Sequence, residues 1–172
     1  MQQKKQSVPA QSAQKPAQEM AQSAVFPLFF KMEGRTVLVV GAGKVATRRI
    51  HSLCRTVCEI RVVAKDGFSA ALLALASEEK NITLSQVSFS PDLLAGCDLA
   101  LAATDDRAVN HAIYQECKAR GILVNVCDAP EECDFYFPAL VENDTFIGGV
   151  VSKQGSAHAA LKRVAERIRE VL

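Results

Sequence analysis

The chain has 172 residues, which suits one domain with a tail, and 49% of them are hydrophobic, which is enough for a sizeable core. Its 20 basic and 19 acidic side chains leave a net charge of +1, so composition gives no argument for a nucleic acid or a membrane as partner. No apolar run approaches the roughly 20 residues of a membrane-spanning helix, and polar residues follow Lys4 and Lys5 where a secretion signal would be apolar.

Residues 1–24 are rich in Gln, Ala, Ser, Lys and Pro. This composition buries too little apolar surface to offset the entropy lost on ordering, so it predicts a disordered tail. The six cysteines include no C-x-x-C pair. Without a secretion signal, we expect them to be free thiols in a reduced, cytoplasmic protein.

From residue 25 the pattern alternates between strand and helix. An apolar segment at 25–30 contains Pro27 and is expected to pack at the edge of a sheet rather than as a central strand. Strands are predicted at 36–40, 58–64, 82–89, 99–103 and 122–126, and helices at 44–53, 68–80 and 106–120, with a short helical turn at 91–94. This order predicts an α/β fold with a doubly wound parallel sheet and right-handed crossovers.

The remaining elements differ from this alternation. Strands at 135–140 and 145–152, with a turn at 142–144, predict a β-hairpin, and an amphipathic helix is predicted at 156–172. We therefore divide the chain into a tail (1–24), a nucleotide-binding domain (25–134), a hairpin segment (135–155) and a C-terminal helix (156–172).

A glycine-rich motif follows the first strand. Gly41-Ala42-Gly43-Lys44-Val45-Ala46 matches G-x-G-x-x-A, in which Gly41 allows a tight turn and Gly43 lets the backbone approach a pyrophosphate. The phosphates would meet the free N–H groups at the helix N-terminus. The motif predicts a Rossmann-like dinucleotide site, and the alternative is a tight turn without a ligand.

The end of the second strand carries Lys65 and Asp66. An acidic residue near this place binds the adenosine ribose of NAD, whereas a basic one accepts the 2′-phosphate of NADP. The residues by themselves leave the choice between the two cofactors open.

Two further strand ends carry polar residues that would reach the same crevice. Thr104 follows the fourth strand and could face the cofactor or cap the next helix. Asp128 follows the fifth strand, where its carboxylate could transfer a proton, bind a metal or form an Asx-turn with its own backbone, and Pro130 would fix the turn.

Several motifs in one order make the chain recognisable. The glycine loop is followed by Ala-Thr-Asp-Asp at 103–106, Asn-Val-Cys-Asp-Ala-Pro at 125–130, Phe-Tyr-Phe-Pro-Ala at 135–139 and Gly-Gly-Val-Val-Ser at 148–152. With these motifs the chain resembles, over residues 26 to about 163, the precorrin-2 dehydrogenase and sirohydrochlorin ferrochelatase family. This family also supplies the N-terminal module of sirohaem synthase.

The resemblance implies a function and a set of site residues. It implies NAD-dependent oxidation of precorrin-2 to sirohydrochlorin, in some members followed by insertion of ferrous iron to give sirohaem. Asp128 matches the family's essential aspartate, while Lys44, Val45, Lys65 and Asp66 match dinucleotide contacts, which favours NAD. The resemblance also implies a homodimer built through the hairpin segment, and no metal ligand is assigned. Carboxylates of the tetrapyrrole would need cationic partners, for which the candidates are Arg48, Arg49, Arg107, Lys153 and Arg163.

Two departures from the family pattern leave a second interpretation open. The loop after the hairpin has Ala157 and His158 where the family usually has Ser and Pro, and the chain ends at Leu172, where typical members continue with helices that cover the tetrapyrrole. The alternatives are a compact enzyme, an enzyme whose cover comes from a partner, an enzyme of reduced activity, and a non-catalytic module that binds a tetrapyrrole or a dinucleotide.

Overall fold

The central element of the fold is a five-stranded parallel sheet. In the computed structural model, which describes residues 25–56, 58–152 and 158–171, its strands lie in the order β3-β2-β1-β4-β5. The strands are β1 (Thr36–Val40), β2 (Glu59–Val63), β3 (Ile82–Ser85), β4 (Leu99–Ala102) and β5 (Leu123–Val126). All four pairings are parallel, so the predicted doubly wound sheet is confirmed.

Helices cover both faces of this sheet. They are α1 (Lys44–Leu53), α2 (Ala70–Glu78) and α3 (Arg107–Arg120), and two 3₁₀ helices span Pro91–Leu94 and Pro130–Glu132. Ile50 of α1 and Leu72 of α2 are buried in the core of one face, and Ile113 of α3 is buried in the core of the other. Strand β1 is buried along its whole length because it lies between these two cores, as its continuous β-branched run predicts.

The chain connections place a crevice at one end of the sheet. Strand β1 pairs with β2 on one side and with β4 on the other, so the direction of winding reverses between β1 and β4. At such a switch point the loops after the two strands diverge to opposite faces, and ligands bind in the crevice that opens beyond the carboxyl ends.

A second, antiparallel sheet follows the parallel one. Strands β6 (Ala139–Glu142) and β7 (Ile147–Val150) form the predicted hairpin, and helix α4 (His158–Arg169) packs on β6. Arg55, just beyond α1, forms an ion pair with Glu142 of β6 and so links the hairpin to the parallel domain.

Three of the predicted strands or segments are wrong in their extent or contacts. The apolar segment at 25–30 forms no strand, and Phe26 and Leu28 are about 80% exposed, because no strand of the sheet lies beside them. Strand β3 ends at Ser85 rather than at 89. The first hairpin strand begins at Ala139 rather than at 135, since Phe135 and Phe137 pack against the α1-side core and Pro138 has no N–H to donate.

The predicted tail at 1–24 lies outside the described residues, as do residues 153–157. None of the described helices is both long and apolar enough to cross a membrane. All six cysteines are free thiols, and Cys58 and Cys117 are buried among apolar side chains.

Candidate functional site

A large cleft in the described part of the chain opens at the carboxyl ends of the parallel strands. Its volume is about 1010 Å³, and its walls come from the β1–α1 turn, the residues after β2 and β3, and the β4–α3 turn. All seven residues predicted to bind the cofactor line this cleft: Gly41, Gly43, Lys44, Val45, Lys65, Asp66 and Thr104. The sequence motifs therefore meet in space as the topology requires.

Gly41 is required by the protein's own backbone. Its φ of +114° lies in a region that residues with a side chain rarely adopt, and a Cβ placed here would lie 2.3 Å from the carbonyl oxygen of Ala103. This close approach brings the β1–α1 turn against the end of β4. Gly41 thus holds together two walls of the cleft.

Gly43 has no comparable structural requirement. Its φ of −73° suits any residue, and a Cβ added here would meet no atom within 4 Å. The space beside it belongs to the cleft, which gives a ligand room to approach the backbone. The fold itself therefore does not require a glycine at this position.

The N-terminus of α1 is also open to an anion. Gly43 occupies its N-cap position without a side-chain hydrogen bond, and the first turn holds no acidic residue. By contrast, Ser69 caps α2 and Asp106 caps α3 through their side chains. The unpaired N–H groups and dipole of α1 therefore suit a pyrophosphate, so the residues present fit a dinucleotide.

The residues after β2 and β3 form the opposite wall. Lys65 and Asp66 are largely exposed, with side chains 64% and 85% accessible, and their charged atoms lie 3.9 Å apart. Val87 and Phe89 line the same wall, which the sequence analysis missed because it assigned both to a strand. The departure of this segment from the sheet after Ser85 is what turns it toward the cleft.

Thr104 bonds with the following helix rather than capping it. Its hydroxyl donates to Asn110 Oδ1 at 2.7 Å and accepts from the backbone N–H of Asp106. The N-cap residue of α3 is Asp106, whose carboxylate accepts from the N–H groups of Ala108 and Val109. Capping by Thr104 is therefore wrong, because Asp106 stands nearer to the free N–H groups of the first turn.

Asp128 lies beside the cleft, after the end of β5, and is not among the residues that line it. Asn110 Nδ2 donates to Asp128 Oδ1 at 3.0 Å, and Arg107 lies 4.0 Å from the same oxygen. Asn110 is fully buried and also bonds Thr104, so one amide connects Asp128 to the cleft wall. No hydrogen bond to Asp128 Oδ2 forms within the described residues, and its side chain is 38% exposed.

The Asx-turn considered for Asp128 is not seen, because its carboxylate bonds a side chain of α3 instead of its own backbone. Pro130 begins the 3₁₀ helix that follows and so fixes the turn as expected. Nothing local in the sequence indicates that Asn110 joins Thr104 to Asp128. Only the parallel pairing of β4 with β5 brings them together.

A second polar chain extends from Arg107 away from the cleft. Arg107 forms an ion pair with Glu132, whose Oε1 also accepts from His111 Nδ1 at 2.8 Å. Gln115 Nε2 lies 3.1 Å from His111 Nε2 and can donate to it when His111 carries its proton on Nδ1. Hydrogen bonds from Arg107 and then His111 hold the pKa of Glu132 below its usual range. Glu132 therefore acts as an anionic anchor that fixes Arg107 beside Asp128.

The candidate carboxylate partners differ in their surroundings. Arg107 is already paired, Arg48 and Arg163 are exposed, and Lys153 lies outside the described residues. Arg49 is the half-buried member of the set, and its guanidinium lies over the ring of Phe137. No group of three or more His, Cys, Asp or Glu side chains within 25–56, 58–152 and 158–171 is arranged to hold a metal ion. The side chain of His158 is not described.

Known proteins are similar to this chain over most of its length. A family model described as putative NAD(P)-binding matches residues 28–139. The chain is 40% identical over 146 residues to a probable multifunctional siroheme biosynthesis protein HemA of Ruminiclostridium josui, covering 85% of this chain and 28% of that one. It is 36% identical over 147 residues to a siroheme synthase of Psychrobacter sp. (strain PRwf-1), covering 86% of this chain and 30% of the relative.

A solved structure is also similar. The chain matches SirC, a precorrin-2 dehydrogenase, with a TM-score of 0.70 and 25% identity, over 86% of this chain and 71% of that one. The similarity therefore extends beyond the parallel sheet. By contrast, the chain spans less than a third of the length of the two curated relatives, so it corresponds to one part of those longer proteins.

Proposed function

The chain belongs to the family described as putative NAD(P)-binding, and we propose that it oxidises precorrin-2 to sirohydrochlorin with NAD as hydride acceptor, which its similarity to siroheme synthases and to SirC, a precorrin-2 dehydrogenase, supports. The observation that carries the proposal is the convergence of the glycine loop, the β4–α3 turn and Asp128 at one end of the sheet. A site that only binds a dinucleotide would need the glycine loop, but it would not need the β4–α3 turn or Asp128.

The cleft residues bind and orient the cofactor. The open space beside Gly43 and the uncapped N–H groups of α1 receive the pyrophosphate, and Lys65 and Asp66 lie where the adenosine ribose is bound in folds of this type. When bound, NAD supplies an acceptor for the hydride that leaves a carbon of the tetrapyrrole. Hydride loss leaves a cation, so a proton must also be removed from the substrate.

Asp128 removes that proton. Asn110 engages Asp128 Oδ1, which leaves Oδ2 to accept a proton from the substrate ring system. Arg107, held by Glu132, lies on the same side of the carboxylate and stabilises its negative charge. The hydrogen bond from a fully buried amide fixes the position of the base, as efficient proton transfer requires.

The test is a reaction of the purified protein with precorrin-2 and NAD, followed by NADH absorbance and by the sirohydrochlorin spectrum. We expect both signals to rise together, with one NADH for each sirohydrochlorin, because the reaction removes one hydride and one proton. Binding of precorrin-2 without NADH formation would instead support the non-catalytic module. Addition of ferrous iron to the product mixture then tests for ferrochelatase activity, which family membership suggests as a second step.

Cofactor choice gives a separate prediction. Asp66 places a negative charge on the wall where the 2′-phosphate of NADP would lie, so Asp66→Asn should lower the preference for NAD over NADP by about 10-fold, the effect of roughly 1.4 kcal/mol of charge repulsion. The measurement is kcat/KM with each cofactor. Asp92→Asn, which removes an exposed carboxylate in the 3₁₀ helix between β3 and β4, is the matched control. An unchanged preference would remove Asp66 from the cofactor site.

We also propose that the chain forms a homodimer through the hairpin segment and acts in the cytoplasm. Exposed apolar side chains on the hairpin and α4 support the dimer: Phe146, Ile147, Val151 and Val164. Analytical ultracentrifugation checks the assembly, and Ile147→Asp should shift a dimer toward monomer because it places a charge in the apolar contact.

A further inference from the structure

Arg49 lies on the face of helix α1 that borders the cofactor cleft. It follows Val45, which lines the cleft, by four residues on α1, so the two side chains share one face of the helix. Helical side chains lean toward the N-terminus of their helix, which here directs Arg49 toward the carboxyl ends of the strands. The Arg49 Cζ lies 4.3 Å from the centre of the Phe137 ring.

This guanidinium lacks an anionic partner within the described residues. Its Nε is buried and makes no hydrogen bond there, and no carboxylate of that part of the chain forms an ion pair with it. Burial lowers the pKa of Arg49, and the neighbouring Arg48 cation lowers it further. A half-buried cation with an unpaired N–H is costly, because it has lost water without gaining an acceptor.

The neighbouring thiols do not supply the missing charge. The thiols that interact electrostatically with Arg49 are those of Cys127 and Cys133. Burial raises the pKa of both thiols above their usual range. Both therefore remain neutral thiols at neutral pH. Cys127, whose thiol lies within the electrostatic influence of Arg49, directly precedes Asp128 in the chain, so the unpaired cation lies near the segment after β5 that carries the residue to which we assign proton transfer.

We propose that Arg49, stacked on Phe137, forms a subsite near the carboxyl ends of the strands that binds a carboxylate of the tetrapyrrole substrate. This inference rests on the proposed function for the identity of the substrate. A planar guanidinium presents paired donors that match a carboxylate, and the aromatic ring fixes its plane. The subsite holds a peripheral arm of the substrate, so that a ring position lies within reach of Asp128.

Direct binding tests the subsite without requiring turnover. Sirohydrochlorin, which keeps the substrate's carboxylate arms, is titrated against wild type, Arg49→Gln, Arg49→Lys and the control Arg120→Gln, which alters an exposed pair at the far end of α3. We expect Arg49→Gln to bind sirohydrochlorin about 10- to 100-fold more weakly, with NAD affinity and Tm unchanged. Arg49→Lys should recover part of the affinity because it keeps the charge but not the planar donors, and Arg120→Gln should match wild type.

Three results would overturn the subsite. The first is that Arg49→Gln binds sirohydrochlorin as tightly as the wild type does. The second is that Arg49→Gln loses affinity for NAD instead of for sirohydrochlorin, which would assign the cation to a cofactor phosphate. The third is that the wild type does not bind sirohydrochlorin. If Arg49→Gln fails to fold, the wild-type protein is instead treated with phenylglyoxal, which modifies arginine side chains. The rate of modification at Arg49 is then measured by mass spectrometry. Sirohydrochlorin should slow that modification, and an unchanged rate contradicts the proposal. Binding through Arg49 without NADH formation from precorrin-2 would refute the dehydrogenase while leaving the subsite intact.

Discussion

Asp128→Asn is expected to reduce sirohydrochlorin formation by about 100-fold or more, the range typical for loss of a general base. The amide oxygen of the new side chain can still accept the hydrogen bond that Asn110 donates at 3.0 Å, so the turn after β5 should keep its structure. The amide cannot accept a proton from the substrate. NAD affinity should not change, because Asp128 does not line the cofactor cleft.

The measurement is the initial rate of NADH formation from precorrin-2, together with an NAD titration and a thermal melt of each variant. Asp92→Asn serves here too as the control for loss of a carboxylate. Asp128→Ala should lose at least as much activity, since it also removes one of the two acceptors of the buried Asn110 Nδ2, which would keep only the Thr104 carbonyl oxygen. Turnover of Asp128→Asn at the wild-type rate would exclude Asp128 as the base.

Gly41→Ala is expected to destabilise the fold by about 3 kcal/mol or more, because a residue with a side chain is strained at φ +114° and its Cβ would lie 2.3 Å from the Ala103 carbonyl oxygen. Neither atom can yield by a rotamer change, since the carbonyl belongs to the backbone at the end of β4. The free energy of unfolding from urea titration measures the effect. The β1–α1 turn would have to move away from β4, which would also open the cleft.

Gly43→Ala is the matched comparison, two residues along the same loop. Its backbone is ordinary and the added Cβ meets no atom within 4 Å, so the free energy of unfolding should change by less than about 1 kcal/mol. Its NAD affinity should fall instead, because the methyl group enters the space that the pyrophosphate needs. Equal stability losses in the two variants would contradict this division of roles.

The elements of the parallel domain could be predicted from the sequence because their signals are local. The β-branched run at Thr36–Val40 and the glycines on either side of Ala42 fix a buried strand, a tight turn and a helix start within a few residues. The carboxyl ends of parallel strands share one edge of a sheet, so the sequence also predicted that Lys65, Asp66 and Thr104 lie near the glycine loop. All three residues line the cleft.

The partners of individual side chains were decided only in three dimensions. Asp128 is held beside the cleft by Asn110, a residue 18 positions earlier that reaches it because β4 pairs with β5. In the sequence, nothing distinguishes Arg49 from other cations on a helix. Only the fold places Phe137, from the chain after β5, against its guanidinium.

The glycine loop thus illustrates both levels. The sequence by itself determined that a tight turn joins a buried strand to a helix, because the motif and its periodic flanks encode backbone geometry and apolar faces. It did not separate the roles of the two glycines. That separation depends on which atoms lie across the turn, a backbone carbonyl of β4 for Gly41 and open cleft for Gly43, and only packing between distant segments places those atoms.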